Sequence, residues 1–203
     1  MTDAASFDLL SIGHSNLPAD RFVELLKGVG VTILADVRSI PYSRWCPWFS
    51  HRPFGERLAR EKIEYLALGD TLGGRPHDLS LYRDGTVDYE AMAATSEFRT
   101  GLVRLREVMG RGRVCMMCAE REPLDCHRGL LIARVLAEGG TMIGHILGDG
   151  TIEPHAVTEE RLLALVGGGV DLFGDRIARL AEAYHRRGRG MTTRASPKRG
   201  REP

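Results

Sequence analysis

The sequence has 203 residues, 43% of them hydrophobic, and a net charge of +1, which is an ordinary composition for a globular protein with its own core. No apolar run approaches the roughly 18 residues that a membrane-spanning helix needs, and four cysteines are too few for a disulfide scaffold of this length. The first residues, MTDAASFDLL, lack the pattern of a signal peptide, so we expect a cytoplasmic protein with reduced cysteines and no membrane contact.

The first part of the chain predicts a βαβ unit. Residues 7–13 and 31–37 are short apolar runs typical of buried strands. Between them, apolar residues from Phe22 to Val29 recur at helical spacing, and nearby glycines end that helix. A strand, a helix and a strand within about 30 residues imply two parallel strands.

Three further strands complete the predicted sheet, at residues 63–68, 114–118 and 141–147. We expect helices near residues 56–61, 88–94, 96–109, 126–138, 158–166 and 175–187. This order of elements predicts an α/β fold with three layers, in which a mainly parallel five-stranded sheet carries helices on both faces.

The composition changes at the end of the chain. Residues 186–203 contain seven arginines or lysines and one acid, whereas the preceding residues are mildly acidic in total. We therefore expect one α/β domain over residues 1–187 and a disordered basic tail over residues 188–203. A basic tail can contact nucleic acid, but a solvated chain end has the same composition. No feature of the sequence indicates the oligomeric state.

The stretch 114–138 holds the most informative polar residues. An apolar strand leads into a short polar loop, and a helix follows that ends at two glycines. With Asp125 as the predicted N-cap, residues 126–128 fall in the first helical turn. The positive end of a helix favours an anion and lowers the pKa of a cysteine beside it. The polar residues of this loop that can supply chemistry or bind an anion are Cys118, Glu120, Cys126, His127 and Arg128.

Polar residues or glycines follow all five predicted strands, which places them at the carboxyl edge of the sheet, where ligands usually bind. Those expected to act as nucleophile, acid or base are His14, Asp36, Cys118, Glu120 and His127. Those expected to bind the substrate are Ser15, Arg38, Arg44, Gly73, Gly74, Cys126 and Arg128. A pairing of Asp36 with Arg38 is the alternative interpretation of Asp36. His145, in the fifth strand, is expected to be structural.

The cysteines are expected to differ in reactivity. Cys118 ends its strand near the following helix, and Cys126 lies where backbone N–H groups are free, so both thiols should have lowered pKa values. Cys115 lies three residues back inside the apolar run and should be inert.

Three functions fit these residues. The first is an enzyme that binds a phosphate-bearing small molecule or a nucleotide through its arginines and uses the thiol, carboxylate and histidine groups for chemistry. The second is a nucleic-acid-associated protein that uses the aromatic and arginine-rich residues 38–49 and the tail. The third is a metal-binding or redox-sensing module, in which Cys118 and Cys126 act with His127 or His14. No second CxxC pair supports a metal site, and the sequence leaves the cofactor unknown.

A group of short motifs resembles the domain of unknown function family 488 over about residues 9–155. The residues that carry this resemblance are His14-Ser15, Asp36-Val37-Arg38 with Pro41 and Ser43-Arg44, Leu68-Gly69 with Leu72-Gly73-Gly74, Cys118 with Glu120 and Pro123, Cys126-His127-Arg128, and His145-Ile146. The resemblance implies a compact cytoplasmic α/β domain and supports the predicted site residues. It implies no particular activity, because the family is named for lacking one.

Overall fold

A six-stranded sheet forms the middle layer of the computed structural model, which describes residues 4–166 and 175–191. The strands of this sheet are β1 (Leu9–Gly13), β2 (Ile33–Asp36), β3 (Glu64–Ala67), β6 (Val114–Cys118), β7 (Ile143–Ile146) and β8 (Ile152–Pro154). Their order is β3-β2-β6-β1-β7-β8, with parallel pairing throughout except between β7 and β8. A separate small hairpin pairs β4 (Tyr82–Arg83) with β5 (Thr86–Val87).

Helices cover both faces of this sheet. They are α1 (Ala19–Gly28), α2 (His51–Arg60), α3 (Gly69–Leu72), α4 (Tyr89–Ala93), α5 (Ser96–Met109), α6 (Arg134–Glu138), α7 (His155–Val166) and α8 (Arg176–Arg189). A π-helical stretch, Arg128–Ala133, runs directly into α6. Thr95 caps α5, because its side chain accepts the Phe98 N–H.

The alternation of side chains along β6 separates two apolar cores. Cys115 and Met117 pack with residues of α1 and α2 on one face of the sheet. Met116 and Cys118 pack with residues of α5 and the π-helical stretch on the other face. All five residues of β6 are buried, as expected for a central parallel strand. Cys115 and Cys118 therefore lie on opposite faces of the sheet.

The predicted three-layer α/β fold is confirmed, and its sheet has one strand more than predicted. β8 is only three residues long and half-buried, so neither an apolar run nor an alternating pattern marks it in the sequence. It returns antiparallel along β7 after a tight turn in which Gly150 has a φ of 94°.

The end of α8 lies two residues beyond the predicted boundary, and Gly188 is buried within it. Most of the predicted basic tail, residues 192–203, lies outside the described residues, and its possible contact with nucleic acid stays a prediction. Within residues 4–166 and 175–191, no helix combines the length and the hydrophobicity needed to cross a bilayer.

Candidate functional site

Three adjacent parallel strands bring polar residues to one edge of the sheet. Gly13 at the end of β1 lies opposite Cys118, and Asp36 at the end of β2 lies opposite Met117. The His14 N–H donates to the Cys118 carbonyl at 2.9 Å. His14, Asp36 and Cys118 therefore share the carboxyl edge of the sheet, which confirms the predicted βαβ arrangement.

Two thiols and an imidazole face one another at this edge. His127 Nδ1 lies 3.6 Å from Cys118 Sγ and 3.7 Å from Cys126 Sγ, and all three residues are buried. His127 Nε2 lies 2.9 Å from the Val37 carbonyl oxygen. Because a carbonyl oxygen only accepts hydrogen bonds, Nε2 carries a hydrogen and Nδ1 is directed at the two sulfurs. We refer to Cys118, Cys126 and His127 as the thiol–imidazole cluster.

A backbone turn at Cys126 builds the cluster. Cys126 is extended, its carbonyl accepts the Gly129 N–H at 3.1 Å, and its sulfur accepts the Arg128 N–H at 3.5 Å. These are the hydrogen bonds of an N-cap residue. Asp125 instead ends a 3-10 turn and forms an ion pair with Arg187 of α8. The prediction of Asp125 as the helix cap is therefore wrong by one residue.

Close packing of the chain against His127 fixes the imidazole from the opposite side. A Cβ atom at Gly74 would lie 2.6 Å from His127 Cγ, so only glycine fits there without movement of the ring. Gly73 packs against Ser39 in the same loop, and its Cβ would lie 2.4 Å from Ser39 Oγ. The two predicted glycines thus allow close packing, and only Gly74 lies beside the cluster.

The two thiols of the cluster differ in acidity. Burial raises the pKa of Cys118 well above its usual value, and its hydrogen bond with Cys126 adds to the rise. Burial alone would also raise the pKa of Cys126. The net pKa is nevertheless well below its usual value, because the thiolate is stabilised by a hydrogen bond from Cys118 and by the charges of Arg128 and His127. The pair thus has one lowered and one raised pKa rather than the two lowered values predicted, because one thiolate opposes the ionisation of the other.

The pKa values of His127 and Cys115 are also shifted by their surroundings. Burial lowers the pKa of His127, yet Cys126, Glu120 and the Val37 carbonyl outweigh it and the net pKa is raised. Burial raises the pKa of Cys115, which agrees with its expected inertness. The Cys118 thiol donates to Glu120 Oε2 at 3.1 Å, so a carboxylate is within reach of the cluster.

A buried ion pair lies beside the cluster. Arg38 Nη2 donates to Asp36 Oδ2 at 2.6 Å and to the Phe49 carbonyl at 2.7 Å, and the Tyr65 hydroxyl donates to Asp36 Oδ2 at 2.5 Å. Asp36 is 1% exposed and does not line the cleft described below. Its placement matches the alternative interpretation, in which it pairs with Arg38, rather than the predicted catalytic role.

His14 belongs to the same buried network. Its Nδ1 donates to the Ser15 carbonyl at 2.8 Å, its Nε2 accepts from Arg38 Nη1 at 3.2 Å, and its ring stacks on Phe49. Burial and then the Arg38 charge lower the pKa of His14 to about 4, so its ring is neutral at neutral pH. Neither His14 nor Ser15 lines the cleft, and the structure does not bring these two predicted site residues to it.

Arg128 is buried and faces the backbone, in contrast to its predicted role in substrate binding. It donates from Nη1 to the Glu120 carbonyl at 2.5 Å and from Nη2 to the Arg121 carbonyl at 2.7 Å. It is 1% exposed and does not line the cleft. Arg128 therefore holds the loop that carries Glu120, and its charge favours the Cys126 thiolate.

A cleft of about 970 Å³ opens over the cluster, a volume in the range of small-molecule sites. Arg44 and Arg75 are exposed in its lining, and neither has a carboxylate partner among the described residues. Arg44 lies over the Trp45 ring, 5.9 Å from its centroid. The predicted site residues that line the cleft are Arg38, Arg44, Gly74, Cys118, Glu120, Cys126 and His127.

Three residues of this region were missing from the sequence prediction. Arg75 lines the cleft. It directly follows the predicted site residue Gly74 in the sequence, and this adjacency is the signal that could have identified Arg75 as a site residue. Tyr89, at the start of α4, also lines the cleft, and burial raises the pKa of its hydroxyl. Tyr65 holds Asp36 from β3. Neither tyrosine lies in a motif that predicts its position.

His145 has the structural role that the sequence predicts for it. Its Nδ1 lies 2.6 Å from Ser11 Oγ, and its Nε2 lies 2.9 Å from His155 Nδ1. His155 Nε2 lies 3.0 Å from the Tyr184 hydroxyl, so the chain of hydrogen bonds ends on α8. This chain joins β1 to the helices of one layer and does not reach the cleft.

The fold and the side chains define an α/β protein with a thiol–imidazole site at the carboxyl edge of a parallel sheet. Residues 18–135 match the model of the family described as Domain of unknown function DUF488, and since they are more than half of the chain, the protein belongs to that family. The match includes the ion pair, the cleft arginines and the cluster, and is shorter than the expected span of residues 9–155. The curated proteins and the solved structures contain no significant match.

Proposed function

We propose that this protein is an enzyme that binds a phosphate-bearing small molecule or a nucleotide in the cleft and brings it to the thiol–imidazole cluster. The observation that carries this proposal is the position of the two unpaired arginines, Arg44 and Arg75, in the lining of the cleft that also contains the cluster. Binding groups and reactive groups in one concave site are the usual arrangement of an enzyme.

The charges of the cleft support an anionic ligand. Arg38 is neutralised by Asp36, and Asp125 is neutralised by Arg187, which leaves the single carboxylate of Glu120 against two arginines in the lining. The guanidinium groups of Arg44 and Arg75 remain free of acidic partners within the described part of the chain, and planar guanidinium groups suit phosphate oxygens. The aromatic ring of Trp45 in the same lining offers a surface on which the base of a nucleotide can stack.

The cluster supplies the groups for chemistry. Glu120 Oε2 and His127 Nδ1 both lie within reach of the Cys118 thiol, so a proton can move among sulfur, carboxylate and imidazole without large rearrangement. All four cysteines are free. A site of this kind needs reduced thiols, and we therefore propose a cytoplasmic location.

Removal of the two cleft arginines tests the ligand class. We expect Arg44→Ala and Arg75→Ala each to weaken the binding of inorganic phosphate or a nucleoside monophosphate by about tenfold, since each loses about one charge-assisted hydrogen bond. Isothermal titration calorimetry measures these affinities. Arg60→Ala is the matched control, because Arg60 is exposed on α2 and does not line the cleft. Equal phosphate affinity in all variants, or no binding by the wild-type protein, contradicts the proposal.

A further inference from the structure

We infer that the thiol–imidazole cluster is a metal site, in which Cys118 Sγ, Cys126 Sγ and His127 Nδ1 bind a tetrahedral zinc ion and leave its fourth position open to the cleft. The inference deepens the proposed function, and it rests on that function for the ligand that meets the open position.

The distances within the cluster match those between ligands of one tetrahedral ion. With Zn–S bonds of about 2.3 Å and Zn–N bonds of about 2.0 Å, a sulfur and a nitrogen ligand of a tetrahedral ion lie about 3.5 Å apart. His127 Nδ1 lies 3.6 Å from Cys118 Sγ and 3.7 Å from Cys126 Sγ. The three atoms lie within 4.8 Å of one another. Little movement of the side chains is therefore needed to coordinate an ion.

The orientation of His127 provides an independent observation. Histidines that bind metals usually donate their second ring N–H to a carboxylate or a backbone carbonyl, which fixes the tautomer and the ring. His127 Nε2 has this contact with the Val37 carbonyl at 2.9 Å. The close packing of Gly74 against the ring also restricts its movement. The free Nδ1 thus has a fixed direction toward both sulfurs before any ion binds.

The donor set and its surroundings favour zinc with a catalytic type of coordination. Two thiolates and one imidazole are soft and intermediate ligands, which suit zinc better than calcium or magnesium. Three protein ligands with an open fourth position are typical of catalytic zinc, whereas structural sites are closed by four. Cys118, Cys126 and His127 line the cleft that we propose for a phosphate-bearing ligand. A zinc ion there would polarise a phosphoryl oxygen or a water.

Metal analysis of the full chain, expressed with zinc and purified in reductant, tests this inference. We expect equimolar zinc in the wild-type protein and its loss in Cys118→Ser, Cys126→Ser and His127→Gln. Cys46→Ser is the matched control, because Cys46 is also a free, buried cysteine but lies outside the cluster. Circular dichroism shows which variants fold.

Cobalt substitution of the wild-type protein gives a second readout that depends on no variant. Cobalt in the zinc position should show a thiolate-to-metal charge-transfer band and the intense visible absorption of tetrahedral cobalt. A wild-type protein that holds no zinc, or a cobalt form without the thiolate band, overturns the inference.

Phosphate titration of the chelator-treated protein separates this inference from the proposed function. If the protein binds phosphate through Arg44 and Arg75 but never zinc, the proposed function stands and the metal site is wrong. If it binds zinc through the cluster but no phosphate or nucleotide, the metal site stands and the proposed ligand class is wrong.

Discussion

Replacing Asp36 with alanine is expected to lower the free energy of unfolding by about 3–5 kcal/mol, because it leaves the buried Arg38 guanidinium without its counter-charge. Asp36 accepts hydrogen bonds from Arg38 Nε and Nη2 and from the Tyr65 hydroxyl, and both members of the pair are buried. A domain of this kind has a total stability of only about 5–15 kcal/mol, so the loss is large. Denaturation with urea, followed by circular dichroism, measures it.

A second substitution shows whether the unpaired charge is the cause. In the double variant Asp36→Ala/Arg38→Met, no buried charge is left unpaired, so part of the lost stability should return. If Asp36→Ala is as stable as the wild-type protein, the predicted cost of the unpaired charge is wrong. Loss of activity in such a stable variant would then favour the catalytic role that the sequence predicts for Asp36.

Replacing Arg128 with alanine is expected to destabilise the protein by about 3 kcal/mol or more, since two charge-assisted hydrogen bonds are lost at about 1.5 kcal/mol or more each. The carbonyls of Glu120 and Arg121 would lose their donors, and a cavity would replace a fully buried side chain. Arg128→Lys should recover only part of the loss, because a single ammonium group does not reproduce the guanidinium fork. Urea denaturation measures both variants.

Arg44→Ala is the control for this effect. The Arg44 side chain is exposed and its contact is with Trp45, so we expect a change in stability within about 0.5 kcal/mol and a weaker affinity for phosphate. A stable Arg128→Ala variant with weakened phosphate binding would reverse these assignments and restore the binding role that the sequence predicts for Arg128.

The sequence predicts the sheet well, because each buried strand is marked by a pattern within a few consecutive residues. Short apolar runs mark β1, β2 and β6, and the rule that parallel strands end at one edge places His14, Asp36 and Cys118 together. β8 is not predicted, because a strand of three half-buried residues is too short to show a periodic pattern in the sequence. The prediction of the cap at Asp125 fails because Cys126 makes the capping contacts with its sulfur and its carbonyl.

Side-chain direction explains why the candidate site was predicted only in part. Arg44 and Arg128 are the same residue type and both follow strands, yet one is exposed at the cleft and the other donates to backbone carbonyls. Asp36 and Glu120 likewise differ, since only Glu120 lines the cleft. These differences depend on tertiary packing around each group, which residue type and spacing do not specify.

Iodoacetamide labelling of the chelator-treated wild-type protein, quantified for each cysteine peptide with and without phosphate, tests most directly whether the cluster lies in a ligand-binding cleft. Cys118 and Cys126 line the cleft, whereas Cys115 faces the opposite core. We expect Cys126 to react first, phosphate to slow its labelling, and Cys115 to stay unlabelled until the protein unfolds. Labelling of Cys115 as fast as Cys126, or labelling of Cys126 that ignores phosphate, would contradict the proposed site.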